Sequence, residues 1–267
     1  MGVFLHRIYL YLLLWFNYTL EFLIMASFLL STLPDDPRDC VLQLWLLHAW
    51  KSGDPTIPDQ FFAFSTLWVD ASGNFIEGIS HRLFAEALSG CLNIGSVYVI
   101  LEFAMCDPQA SFRACNFHRY LVITPATKLE DVTASSIGFT TKSFQFTEFN
   151  SLPAGSYCCP YLTDVVGRLV SISQPEYVEA KGGITTIQKV TIKDHIGTSL
   201  CIWMWGSFSL ILDARTLVDR DPNDSVVLAF GGLIMTQLRG VVNRSSTSGT
   251  RVVVNLLIHE ADALKLR

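Results

Sequence analysis

The sequence predicts an all-β chain with short helices, folded as two small barrels of about five strands each. Three features lead to this expectation. Runs rich in β-branched and aromatic residues are separated by turns of Gly, Pro, Asp and Ser. The order strand, turn, strand, helix and strand occurs twice, which indicates a duplicated domain. The matching Asp-x-x-Gly turns, Asp70–Gly73 and Asp194–Gly197, lie 124 residues apart.

The composition narrows the class of protein. Of the 267 residues, 50% are hydrophobic and 16% are charged, which excludes wholesale disorder. The net charge of −5 and the isoelectric point near 5.6 exclude binding to nucleic acid through bulk positive charge. The seven cysteines include no CxxC pair, so we expect no metal site. Such a scattered, odd set is typical of reduced thiols in the cytosol or nucleus.

The first 33 residues form a hydrophobic extension. Two apolar runs, Ile8–Phe16 and Phe22–Met25, are separated by polar positions. Glu21 opposes a membrane-spanning helix, because a carboxylate near the bilayer centre costs about 2.5–3.5 kcal/mol. We expect a segment outside the folded domains, upstream of Met25, and a membrane partner is not expected. A membrane anchor or signal and a packed helix are the alternatives.

The first barrel is predicted over residues 34–132. After a turn at Pro34–Pro37, the pattern predicts strands at 41–50, 61–69, 74–79 and 97–103, with further strand up to 123. Apolar residues at helical spacing in 81–88 predict a short helix between the third strand and the fourth.

The second barrel is predicted over residues 160–267, with a C-terminal tail, and it repeats this order. Strands are predicted at 162–172, 185–192 and 198–205 and from 226 onward, with a helix-like stretch at 208–217. Residues 133–159, rich in Ser, Thr, Gly and Phe, are predicted to be a linker. Its aromatic rings are expected to hold it against a neighbouring domain: Phe139, Phe144, Phe146 and Phe149.

A five-stranded barrel with one helix between its third and fourth strands is the arrangement of the OB-fold. In that fold, the face of strands 2 and 3 and the loops L12 and L45 bind oligonucleotides or oligosaccharides.

Several short motifs occur in one order along the chain. In the second half they are Leu162–Val170, Gln188–Asp194, Trp203–Gly206, Ser245–Asn255 and His259–Ala261. In the first half they are Trp45, Trp50, Val69–Asn74, Val97–Ile100 and Thr124–Lys128. Together they cover about residues 26–265 and resemble the single-stranded-DNA-binding OB domains of the replication protein A large subunit, particularly the plant forms.

The resemblance implies two tandem five-stranded Greek-key OB barrels, a nuclear location, and a role in DNA replication, repair or recombination. The implied partners are single-stranded DNA and other replication protein A subunits, without a cofactor. The third, zinc-bearing OB domain of the family has no counterpart here, so the likeness is to a truncated form. The sequence contains no phosphate-binding loop, nucleophile elbow or HExxH motif, so we do not expect an enzyme.

A single-strand site needs flat rings under the bases and cations along the phosphates. In the family, the Trp of the Trp-Gly motif stacks on a base, and Trp205 holds that position here. Trp203 lies two residues earlier, so strand alternation places both indoles on one face and Met204 on the other. Two positions depart from the family, because Leu238 and Ile79 stand where rings are expected.

Basic side chains near these rings complete the candidate site. In the second barrel they are Arg168, Lys181, Lys189, Lys193, Arg239 and Arg251. The first barrel offers weaker contacts through Phe112, Arg113 and Arg119. Residues 38–131 contain six basic and ten acidic side chains, a charge of −4, whereas residues 160–260 contain nine of each. The second barrel is therefore expected to dominate the binding of single-stranded DNA.

A function of another class is the alternative. The same tandem could be a degenerate OB-fold module for protein interaction, with little or no nucleic-acid binding. The net charge of −5 and the apolar residues Leu238 and Ile79 favour that alternative.

Overall fold

The computed structural model describes residues 27–57, 60–108, 113–135, 143–152, 161–218, 225–238, 241–256 and 264. Residues 135, 218, 235–238 and 241–243 are described by their backbone alone. Most of the predicted N-terminal extension, residues 1–26, lies outside this range. Among the described residues, no helix combines the length and the apolar character that a membrane span requires.

The first barrel is a curled antiparallel sheet closed by one parallel pair. Its strands are β1 (Leu42–Gly53), β2 (Phe61–Val69), β3 (Phe75–His81), β4 (Val97–Leu101), β5 (Ala104–Cys106), β6 (Tyr120–Val122) and β7 (Lys128–Asp131). β1 pairs with β2 and β4, and β2 pairs with β3. β5 follows β4 after a bend at Glu102, where φ is +53°. Because β5 pairs with β6 and β6 lies parallel to β3, the sheet closes.

The second barrel has the same plan. Its strands are β8 (Thr163–Ile172), β9 (Glu176–Ala180), β10 (Gly183–Lys193), β11 (Ser199–Trp205), β12 (Val227–Leu238), β13 (Val241–Ser245) and β14 (Arg251–Val254). β10 pairs with β8, β9 and β11. β12 pairs with β8 and β13, and the parallel pair of β11 with β13 closes the barrel.

Helices occupy equivalent places in the two barrels. Helix α1 (Ala85–Cys91) lies between β3 and β4 in the chain, and helix α2 (Ala214–Val218) lies between β11 and β12. A short 3-10 helix, Gly206–Leu210, precedes α2. The shared order confirms the predicted all-β fold of two tandem barrels.

Alternation along the strands produces two separate cores. In the first barrel, Leu44 of β1, Trp68 of β2 and Ile76 of β3 are fully buried together. In the second, Ile192 and Phe230 are fully buried. Burying one such side chain contributes about 1.5–3 kcal/mol, so each barrel has its own source of stability.

Two segments outside the strands extend these cores. Leu30 is 2% exposed in the first core, and its N–H donates to the Asp70 carboxylate at 3.0 Å. The first barrel therefore begins before residue 34, the boundary expected from the sequence. Within the predicted linker, Phe144 is buried, and Phe149 packs in the second core. Phe139 lies outside the described residues.

The two barrels touch where β1 ends. The Gly53 N–H donates to the Ser248 hydroxyl at 3.2 Å. Trp50 lies so close to Gly249 that a Cβ there would come within 2.8 Å of the indole. Gly206 has a φ of +57°, and a side chain on it would collide with the Pro55 carbonyl. Glycine at these positions allows the close approach of one barrel to the other.

Candidate nucleic-acid interface

Strand β11 separates a buried face from an accessible one. Ile202 and Met204 are fully buried in the second core, whereas Trp203 and Trp205 lie half-buried on the opposite face. The centroids of the two indole rings are 6.2 Å apart, and their planes are inclined by 49°. Two neighbouring aromatic rings with accessible surface can stack on successive bases, at about 1–3 kcal/mol per base.

Lys189 lies beside these rings. The pairing of β10 with β11 places Lys189 directly across from Trp203, and its Nζ is 5.9 Å from a ring centroid of that indole. This distance lies within the range of a cation–π contact. The Oε2 of Glu176, on β9, is 4.0 Å from the same Nζ. The ammonium group is thus accessible but partly neutralised by a neighbouring carboxylate.

Further basic residues lie towards the other end of β10. Lys193 is paired with Arg168 of β8, and the two side chains line a cavity of about 200 Å³ together with Asp194 and His195. Neither Lys193 nor Arg168 forms an ion pair with another described residue. Lys193 lies four positions along the strand from Lys189, a distance of about 13 Å. Both cations are therefore positioned to follow a strand that crosses the sheet.

We call the outer side of these two strands the β10–β11 face; it carries Ile187, Lys189, Thr191, Lys193, Cys201, Trp203 and Trp205. Cys201 is exposed at its middle. Lys181 is exposed at the turn between β9 and β10, outside this set. Strand pairing thus brings Trp203, Trp205, Lys189 and Lys193 together on one accessible surface.

The corresponding face of the first barrel is covered. Leu67, Val69 and Phe75 point out of that barrel on β2 and β3, yet each is 5% exposed or less. Cys115, in the loop between β5 and β6, is buried against them, and Ala114 packs at the edge of the same cluster. We call residues 113–117 the plug.

Glu77 fastens the plug to β3. Its Oε2 accepts a hydrogen bond from the Ala114 N–H at 2.7 Å. Burial raises the pKa of Glu77 to about 7, against the opposing effects of the Ala114 N–H, the Ser65 hydroxyl and the Arg113 guanidinium. The Cys115 thiol donates to a backbone carbonyl of β3 at 3.5 Å.

The basic residues predicted as DNA contacts in the first barrel bind other groups of the protein. The Arg113 guanidinium lies 4.6 Å from the centre of the Tyr161 ring. Arg119 donates to the Pro34 carbonyl at 3.2 Å. Both side chains thus have partners within the protein, and their role as DNA contacts stays a prediction. Phe112 lies outside the described residues.

Arg251 likewise has partners within the protein, and its role as a DNA contact stays a prediction. Its side chain is only 12% exposed, with Nη2 3.7 Å from the Asp164 carboxylate. The guanidinium lies 4.4 Å from the Phe144 ring and donates to the Ser143 carbonyl at 2.8 Å. Burial lowers the pKa of Arg251 and raises that of Asp164. Arg251 thus joins the predicted linker to the second barrel. Arg239 lies outside the described residues.

Two features of the site escaped the sequence analysis. Glu176 lies close to Lys189 because β9 pairs with β10, and no local sequence pattern predicts that pairing. The plug had a signal in β2, where Ser65, Leu67 and Val69 alternate with an equally buried inner set. A strand without a polar face is typical of a sheet covered on both sides.

Comparison with solved structures bears on the fold. One chain of a replication protein A heterotrimer bound to single-stranded DNA matches with a TM-score of 0.55 and 18% identity, over 84% of this chain and 51% of that chain. The tandem OB-fold is shared. This chain spans about half the length of that replication protein A chain, 51%. No family model and no curated protein sequence matches.

Other solved structures are less similar. The HINa domain of Ifi202 in complex with a 20-bp double-stranded DNA has a TM-score of 0.43 and 8% identity, over 81% of this chain and 96% of that chain. The OB domain of Ta0387 from Thermoplasma acidophilum has a TM-score of 0.31 and 16% identity, over 42% and 90% respectively.

Proposed function

We propose that this chain binds single-stranded DNA on the β10–β11 face of its second barrel, with little sequence preference and without catalysis. The observation that carries the proposal is the pair of accessible indoles, Trp203 and Trp205, with Lys189 on the same surface. Stacking tolerates any base because every base has a π face. The replication protein A chain that shares the fold belongs to a complex with single-stranded DNA, which further supports the proposal.

Fluorescence anisotropy with labelled oligo-dT and the full chain tests the proposal. We expect Trp205→Ala or Trp203→Ala to raise Kd about 5- to 150-fold, because each substitution removes a stacking platform. Tyr177→Ala is the matched control. Tyr177 is an 82% exposed ring of β9 that, by register, lies on the opposite side of the sheet. Unchanged affinity in both Trp variants, with thermal melting showing intact folds, would contradict the proposal.

Native cysteines give a second test without substitution. Cys201 is exposed on the β10–β11 face, whereas Cys91 is exposed at the end of α1 on the first barrel. We expect oligo-dT to slow alkylation of Cys201 at least fivefold and to leave Cys91 unchanged, as measured by peptide mass spectrometry. Equal rates for Cys201 with and without saturating oligo-dT would exclude this face as the binding site.

A protein-interaction module is the second candidate function. The covered face of the first barrel and its charge of −4 favour it for that barrel. A correctly folded chain that fails to bind oligo-dT even at low salt would favour this function for the whole tandem.

The cellular setting belongs to the same proposal. The sequence motifs support a nuclear protein of DNA replication, repair or recombination that is similar to plant-type replication protein A large subunits. They also support other replication protein A subunits as partners. Nuclear fractionation and co-purification with those subunits test this part.

A further inference from the structure

We propose that the plug keeps the strand-binding face of the first barrel closed while DNA is bound, so that the tandem engages one single-stranded segment through its second barrel alone. The statement about DNA rests on the proposed function. The closed state of the plug does not, and it is tested separately.

The plug buries the outward-pointing side chains of β2 as completely as side chains in a hydrophobic core. Val69 is fully buried and Leu67 is 5% exposed, although both point out of the barrel. Cys115, itself 5% exposed, packs directly on them. A nucleobase therefore cannot reach Leu67, Val69 or Phe75 on this face while the plug is in place.

The plug is held from two sides. From β3, Glu77 accepts the Ala114 N–H at 2.7 Å. From the second barrel, the Leu162 N–H donates to the Arg113 carbonyl at 2.7 Å, and the Tyr161 ring covers the Arg113 guanidinium. Removing the plug would break both attachments at once and would take the Ala114 N–H away from Glu77.

Electrostatics do not favour opening by DNA. Residues 38–131 carry a charge of −4, and the plug's own cation, Arg113, is already covered by Tyr161. A polyanion therefore gains little from this face, whereas opening exposes Leu67, Val69 and Cys115 to water.

If only the second barrel binds DNA, the affinity for oligonucleotides should depend weakly on their length. Two linked sites that bind one strand raise the overall affinity by 10²–10⁴ once the strand spans both. We expect the affinity for oligo-dT of increasing length to rise only a few-fold beyond the footprint of one barrel, because longer strands merely offer more registers. A rise of 100-fold or more between dT10 and dT30 would overturn the proposal.

Cys115 reports directly on the plug. Burial raises the pKa of its thiol to about 11, so it is a poor nucleophile while the plug is closed. We expect Cys115 to be alkylated at least tenfold more slowly than Cys91, both in the free chain and with saturating oligo-dT. Alkylation of Cys115 at the rate of Cys91 in either state would overturn the proposal.

Substitutions at Glu77 link this readout to the plug. Glu77→Ala removes the acceptor for the Ala114 N–H and should speed alkylation of Cys115 about tenfold through local opening. Glu77→Gln keeps an acceptor and should change the rate less than twofold. Equal rates in the two variants would overturn the role of Glu77. Loss of DNA binding with Cys115 still protected would count against the proposed function alone.

Discussion

At the residue scale, Glu176 is the side chain that most limits the candidate site. It lies 4.0 Å from Lys189 and places a negative charge where a phosphate would approach. Glu176→Gln should lower Kd for oligo-dT about two- to fivefold at low salt, and salt should diminish this gain. Glu179→Gln removes the same charge from the opposite side of β9 and serves as the control. A Glu176→Gln variant no tighter than Glu179→Gln would contradict the prediction.

The environment of His48 makes the stability of the folded chain depend on pH. Burial, reinforced by the charge of Arg251, lowers its pKa from 6.5 to about 3. Its Nε2 is buried without a hydrogen-bond partner among the described residues. The folded chain keeps His48 neutral, so the stability it contributes is complete above pH 6.5 and is lost as the pH falls towards 3.

His48→Gln should remove this dependence on pH. The free energy of unfolding of the native chain should fall by about 2 kcal/mol relative to the variant between pH 7 and pH 5, because each unit of pKa shift corresponds to about 1.4 kcal/mol. Urea unfolding at both pH values measures the difference. Parallel pH profiles for the two chains would contradict the assignment.

At the element scale, the plug should respond to pH in the opposite sense. Glu77 has a pKa of about 7 in the folded chain against an ordinary 4.5. Burial raises this pKa, and the Ala114 N–H, the Ser65 hydroxyl and the Arg113 guanidinium oppose the rise. Between these two pKa values the folded state holds the additional proton. The stability that depends on this proton is complete below pH 4.5 and is lost as the pH rises through 7.

Glu77→Gln isolates this effect because it cannot ionise. Relative to the variant, the native chain should lose at most about 3 kcal/mol of unfolding free energy between pH 4.5 and pH 8. Comparing the two chains cancels the contribution of His48, which both retain. A constant difference across this range would show that Glu77 has the same pKa in the folded and unfolded chains.

Elements with local patterns were predictable, and elements held by distant contacts were not. The alternation of Trp203, Met204 and Trp205 within β11 is sufficient to place both indoles on one face. The plug has no periodic pattern, and its bond to Glu77 joins residues 37 positions apart. Arg251 bonds to a carbonyl 108 positions away, a contact that its basic charge alone could not predict.

At the scale of the whole molecule, few cations are available for phosphates. The β10–β11 face and its surroundings offer Lys189, Lys193 and Arg168 on a chain of net charge −5. Three or four neutralised phosphates give a slope of log K against log salt of about −2 to −3, and affinity in the micromolar range. A slope steeper than about −5 would contradict this count.

One substitution tests the count directly. Lys193→Gln should make that slope shallower by about 0.7, the contribution of one phosphate on a single strand. Arg82→Gln removes an equal charge from an exposed position of the first barrel and should leave the slope unchanged. Equal slopes for Lys193→Gln and the native chain would remove Lys193 from the site.

The duplication of the barrel could be predicted from the sequence, because both halves repeat one order of strands and a helix. The sequence predicted only in part that the two barrels differ as binding surfaces. The charge difference between the halves favoured the second barrel, but the closure of the first face depends on residues 113–117 folding back across β2 and β3. Such a return is set by packing in three dimensions rather than by any local signal.

The contact between Gly206 and Pro55 has a mechanical consequence. Gly206 directly follows Trp205, and its backbone abuts the Pro55 carbonyl of the first barrel. The Pro55 carbonyl therefore limits any displacement of that indole towards the first barrel.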